Sequence, residues 1–203
     1  MNQLSMFGAE QPQMPPASVY QMVKSIKEAD QDFEWYPTTT EIIDTVKANM
    51  HEHFYIRADE KCRVSLLDIG AGDGRVLMQL TEGDRYAIEK SMPLIEAMPK
   101  DVLILGTDFH QQTIIDKKVA AIFCNPPYSE YDVWTERIIK EANAGVIYLV
   151  IPSRWSGHTG IANAIKARQA ETTVLGSFDF LDGDRQARAK VDVLKVNLGY
   201  QSR

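Results

Sequence analysis

From Val64 to Tyr200 the chain repeats one pattern: a short apolar run of strand length, then a stretch with helical spacing. Few folds accept that alternation. Strands are expected at Val64–Ile69, Arg85–Ile88, Val102–Leu105, Val119–Cys124 and Gly145–Ile151, with helices at Gly74–Leu80, Pro93–Met98, Tyr131–Asn143 and Ile161–Gln169 between or after them. Two long strands, Thr172–Phe180 and Val191–Tyr200, flank Asp182-Gly183-Asp184, a hairpin-type turn. An α/β chain of this kind builds a mostly parallel sheet with helices on both faces, closed here by an antiparallel C-terminal hairpin.

Residues 1–17 are rich in Gln, Met and Pro without a period and read as a flexible arm. The rest, 18–203, is expected to form one domain, with N-terminal helices over 18–60 and a core over 64–203. Ser18 is a good cap for a helix reaching Asp30. Tyr36-Pro37-Thr38-Thr39-Thr40 reads as a turn whose Thr39 or Thr40 caps the next helix, with Ile42, Ile43, Val46 and Met50 as its buried stripe. No apolar run is long enough to cross a bilayer, and the N-terminus lacks a signal pattern, so a cytoplasmic location is expected. Cys62 and Cys124 make no disulfide framework. Net charge is −6, which argues against a uniformly basic nucleic-acid coat. The stretch Arg154–Lys190 is locally basic: a face near the site, or a solvated mixed surface.

The first strand runs into Asp68-Ile-Gly70-Ala71-Gly72-Asp73-Gly74-Arg75. Glycines there allow a tight turn and close approach of a ligand to the backbone. A dinucleotide fingerprint is G-x-G-x-x-G; this turn is G-x-G-x-G with Arg75 in the last position. Asp68 and Asp73 would repel a pyrophosphate, so a cationic ligand suits the turn better. Glu89 ends the second strand, where a carboxylate can accept two ribose hydroxyls. Asp108 follows the third strand, and Asn125 the fourth.

Asn125-Pro126-Pro127-Tyr128 ends that fourth strand. Two prolines fix the backbone beyond it and hold an amide and an aromatic ring at the carboxyl edge of the sheet, where open α/β sheets bind ligands. A planar, nitrogen-bearing substrate needs an acceptor for its N–H and a ring to stack on.

Asp68–Gly74 resembles the cofactor motif of class I methyltransferases that use S-adenosylmethionine. The resemblance covers about residues 36 to 200 and implies a Rossmann-like sheet of seven strands with the last antiparallel. It places Asp68, Gly70, Ala71, Gly72, Glu89 (ribose), Asp108, Phe109 (adenine) and Asn125 at the cofactor. Asn125–Tyr128 resembles the NPPY motif of the amino-methyltransferases, especially N6-adenine DNA enzymes. That implies catalytic roles for Asn125, Pro126 and Tyr128, and substrate contacts for Pro127, Tyr128 and Arg154. Tyr36-Pro37-Thr38 resembles the segment that closes over the cofactor methionine in those enzymes, or is a plain capping turn. No metal is expected: His51 and His53 face different sides of a helix, and His110 and His158 lack partners at ligand spacing. His110 is a candidate pocket wall. Trp134 would flank a flipped base or simply pack in the core.

The resemblance implies adenine-N6 methylation of DNA, in the manner of small phage and mobile-element enzymes. An RNA base or a protein glutamine offers the same planar amino group, and a non-catalytic cofactor-binding scaffold or subunit is the third reading. About 75 residues follow Tyr128, most of them claimed by the sheet. DNA recognition must then come from the short loops Ser153–Thr159 and Asp182–Ala189, from the arm, or from a protein partner acting as a recognition subunit.

Overall fold

Each strand of the core points alternate side chains to opposite faces, and both faces are apolar. A helix layer is therefore needed on each side. The computed structural model, which describes residues 18–179 and 190–199, has that arrangement. Its order is α1 (Val19–Glu28), α2 (Thr40–His53), β1 (Leu66–Ile69), α3 (Arg75–Leu80), β2 (Arg85–Ile88), α4 (Met92–Ala97), β3 (Val102–Gly106), β4 (Ala121–Cys124), α5 (Tyr131–Glu141), β5 (Val146–Pro152), α6 (Thr159–Ala167), β6 (Glu171–Asp179) and β7 (Lys190–Asn197). The arm over 1–17 and the turn at Asp182-Gly183-Asp184 lie outside the described residues.

The seven strands lie in the order β3-β2-β1-β4-β5-β7-β6. β1 pairs in parallel with both β2 and β4, whereas β7 runs antiparallel to both β5 and β6. The chain leaves β1 in one direction and resumes at β4 in the other, so a crevice opens between them at their carboxyl ends.

On one face α2 and α3 bury Ile42, Ile43, Val46, Val76 and Leu77 against Leu66, Ala121, Phe123 and Tyr148. On the other, α5 and α6 bury Trp134, Ile138, Ile139 and Ile161 against Leu67, Ile69, Ile122, Cys124 and Leu149. Ile138 and Ile139 are wholly buried; truncating either to alanine costs about 2–5 kcal/mol. Both cysteines are buried and free. A smaller cluster of Met22, Ile26 and Leu94, with Trp35 against it, joins α1 to α4.

Local chemistry sets the boundaries. Ser18 and Gln21 form a reciprocal capping box, and Thr39, rather than Thr40, caps α2. β1 starts at Leu66 instead of Val64: the Val64 carbonyl is taken by the Thr81 hydroxyl, and Ser65 meets the chain before β4 through its carbonyl and its Oγ, both of which accept the Ala120 N–H. β4 starts at Ala121, since the Val119 N–H is taken by the Asn143 carbonyl. α6 begins at Thr159, two residues earlier than its apolar spacing indicates, because His158 Nδ1 accepts the Ile161 N–H.

Candidate active site

Gly70, Gly72 and Gly74 all have φ between 58° and 81°, a region costly for residues with a Cβ. At Gly72 a Cβ would also overlap the Trp35 indole nitrogen. Asp73 grips Arg75 through paired contacts of 2.8–3.2 Å. The arginine standing in the last glycine position thus neutralises one of the two acids of the turn.

The other acid, Asp68, is 1% exposed, and its Oδ1 has no hydrogen-bond partner. Burial, then the nearby charges of Glu89 and Asp73, push its carboxyl well above the usual range. A buried orphan acceptor calls for a donor. Glu89 is held differently. Its Oε2 accepts the Gly72 N–H at 2.7 Å, and its Oε1 accepts the N–H groups of Lys90 (2.9 Å) and Ser91 (2.8 Å). Burial raises its pKa, and these three bonds pull against the rise. Of about four acceptor directions on a carboxylate, three are in use. Glu89 therefore has room for one ribose hydroxyl, where two were expected.

Asn125 emerges from β4 with its amide already oriented. Nδ2 donates to the Tyr36 carbonyl at 3.1 Å and to Thr38 Oγ1 at 3.2 Å. A carbonyl only accepts, so the nitrogen must face Tyr36, and Oδ1 is turned the other way. Pro126 is buried, and the Pro127 carbonyl accepts the Glu130 N–H, opening α5. Tyr128 accepts a bond from Arg154 Nη1 at 3.1 Å. The guanidinium lies 5.0 Å from the Tyr128 ring centre and 5.2 Å from that of Tyr131, a double cation–π contact. Arg154 sits on the 3-10 turn Ser153–Gly157. Asp192 of β7 is tied to this turn by Ser153 Oγ (2.7 Å) and Trp155 Nε1 (2.9 Å), and it also accepts from Ser177 Oγ (2.7 Å).

Beyond β3, Phe109 stacks on Trp134 with ring centres 4.3 Å apart. Trp134 and His110 both reach Glu130 Oε2, at 2.9 and 3.0 Å. The ring of Trp134 also covers Gly70. Trp134 is thus core packing that doubles as a wall, whereas His110 lines the cavity as an exposed side chain. Asp108 accepts the His110 N–H at 2.9 Å.

These pieces surround one cavity of about 560 Å³, well within the range of small-molecule sites. Tyr36, Asp68, Gly70, Ala71, Glu89, Asp108, Phe109, Asn125, Pro126, Pro127 and Tyr128 all line it. Gly72 does not; it stands behind Glu89. Arg154 does not either, reaching the site through Tyr128. Of the segment between α1 and α2, sequence reasoning singled out Tyr36-Pro37-Thr38 but missed Gln31, Glu34 and Trp35. Glu34 Oε2 accepts the Ser129 N–H at 3.0 Å, and Gln31 Oε1 accepts the Met92 N–H at 2.6 Å. Trp35 lies against Gly72 and under Arg75. The one local signal was the cluster of aromatics between two helices.

The donor set fits S-adenosylmethionine. Asp68 Oδ1 can take its ammonium, Glu89 a ribose hydroxyl, and the Phe109 wall its adenine. Among the described residues no group of His, Cys, Asp or Glu could hold a metal, and no helix is long and apolar enough to cross a membrane.

No family model and no curated protein matches the chain. Solved structures do. One chain of the Mtq2–Trm112 complex of E. cuniculi, which is responsible for methylation of the eRF1 translation termination factor, aligns over 80% of this chain and 98% of its own length at 14% identity and TM-score 0.57. A dimethyladenosine transferase from Plasmodium falciparum aligns with 79% of this chain and 61% of its own at 12% identity and TM-score 0.59. An O-methyltransferase from Bacillus cereus, in complex with SAH, aligns with 92% and 93% at 12% identity and TM-score 0.56. The seven-stranded sheet, its switch point and its antiparallel β7 are thus the fold of the class I S-adenosylmethionine-dependent methyltransferases.

Proposed function

We propose that the chain is an S-adenosylmethionine-dependent methyltransferase that acts on an exocyclic amino group, adenine N6 in DNA. One observation carries this reading: both N–H groups of the Asn125 amide are occupied by Tyr36 and Thr38, so its oxygen is kept as an acceptor. The bound cofactor supplies a methyl group already activated on a sulfonium. An exocyclic amine is a poor nucleophile, because its lone pair is delocalised into the ring. Asn125 Oδ1 and the Pro126 carbonyl accept its two hydrogens and bias the nitrogen toward a tetrahedral geometry. Tyr128 stacks on the base, a contact worth about 1–3 kcal/mol. The amine is held in line and water is excluded. A base in a duplex must be flipped out to reach this pocket. Arg154, braced on Tyr128, meets the phosphate backbone. Sequence recognition falls to short loops or to a protein partner.

The eRF1-methylating neighbour favours a second reading with the same chemistry, in which a protein side-chain amide is the acceptor. Transfer of labelled methyl from S-adenosylmethionine to DNA, RNA and protein extract, with Asn125→Ala as control, separates the readings. Label on DNA that is lost in the variant supports the proposal. Label on protein alone would sink the DNA assignment, and DNA labelling that survives Asn125→Ala would sink the mechanism. Cofactor binding with no transfer to any of the three indicates a scaffold.

A further inference from the structure

We propose that Thr38 is a positioning residue for the transfer step: with the Tyr36 carbonyl it clamps the Asn125 amide in the one orientation that leaves Oδ1 free for the acceptor amine. The inference rests on the amino-methyltransferase reading above. An asparagine amide has two flips of nearly equal shape, and only one presents oxygen to the substrate. The Tyr36 carbonyl at 3.1 Å sets the sense, because the opposite flip would bring two oxygens together. One contact leaves the second N–H free to compete for the acceptor site. Thr38 Oγ1 at 3.2 Å takes it. Thr38 is 6% exposed, so water cannot readily replace its hydroxyl. The surrounding segment is also pinned by Glu34 to Ser129 and by Gln31 to Met92. Its path therefore does not depend on Thr38 alone, which separates a positioning role from a merely structural one.

Thr38→Val keeps the shape and removes the acceptor. With cofactor saturating, the single-turnover rate of methyl transfer should fall about tenfold or more, while affinity for S-adenosylhomocysteine stays within about threefold. Thr38→Ser should restore most of the rate. A Thr38→Val protein that transfers at the wild-type rate would overturn the proposal, as would a Thr38→Ser protein as slow as Thr38→Val. A second readout does not depend on turnover. The Asn125 side-chain NH₂ resonances, assigned by their loss in Asn125→Ala, should shift and exchange faster in Thr38→Val but not in Thr38→Ser. If the wild-type protein labels no substrate, the functional reading falls, while unchanged Asn125 resonances in Thr38→Val would independently refute the clamp. Thr38→Ala serves both measurements if the valine variant does not fold.

Discussion

The Gly72 N–H donates to Glu89 Oε2 across 2.7 Å, a buried side-chain bond that joins the glycine turn after β1 to the end of β2 beside the backbone bonds from Gly70 and Ala71 to the Ile88 carbonyl. Glu89→Gln must set an NH₂ against an N–H whichever way its amide turns, since both oxygens of the native carboxylate accept from backbone. The unmatched donors should cost about 1–3 kcal/mol. At about 2–4 °C per kcal/mol for a chain of this size, calorimetry should record a fall of several degrees. Titration with S-adenosylhomocysteine should show weaker binding.

The pH dependence follows from the two raised carboxyls. Asp68 stands well above its ordinary value of 3.8 and Glu89 above 4.5. The folded protein therefore keeps protons that the unfolded chain has released. Their contribution to stability is fully present below the ordinary carboxylate range and is lost as pH rises through the raised values. Relative to Asp68→Asn, the wild-type protein should become steadily less stable as pH rises, as read from urea midpoints. An ammonium beside Asp68 favours its ionised form, so ligand binding should release a proton. Calorimetry in two buffers of different ionisation heat measures that release, and Asp68→Asn should reduce it.

Gly72→Ala combines two faults. The left-handed backbone costs an alanine about 1–2 kcal/mol, and the new methyl overlaps the Trp35 indole. Trp35 must move, so its fluorescence should shift along with a lower unfolding midpoint. An alanine variant with native fluorescence and stability would contradict the packing of Trp35 on the turn.

Arg154 gives a prediction in salt. If it neutralises one phosphate, Arg154→Ala should weaken DNA binding and lower the slope of log affinity against log salt by about 1. Arg154→Lys keeps the charge but loses the planar stack on Tyr128 and Tyr131. It should hold the slope while still weakening binding. Filter binding between low and moderate salt measures both.

The core strands and the residues at their carboxyl ends were legible because short unbroken apolar runs and glycine or proline punctuation are local signals. Asp68, Glu89, Asp108 and Asn125 each follow or end a strand, so placing the strands placed them at one edge. What escaped was non-local. Nothing near Glu34 announces Ser129, 95 positions on, and nothing near Glu89 announces the Gly72 N–H, 17 positions back. Asp192 reads as one polar residue in an apolar strand; its three donors come from β6 and the turn after β5. The shifted start of β1 has the same origin, since the Thr81 hydroxyl that holds Val64 lies 17 positions on; that of α6 is local, a cap that His158 gives to Ile161 three residues later.

β7 lies between β5 and β6 although it follows both in the chain. During synthesis β6 leaves the ribosome with no neighbour to pair with, because the strand that joins it to the sheet has not yet been made. The half bearing Asp68 and Glu89 can close much earlier, as can the Asn125 loop. The turn that carries Arg154 must wait for Asp192 on that last strand. A nascent chain thus completes the side bearing Asp68 and Glu89 first and the Arg154 side last, and a stop codon before β7 would strand β6 as well as remove the final strand.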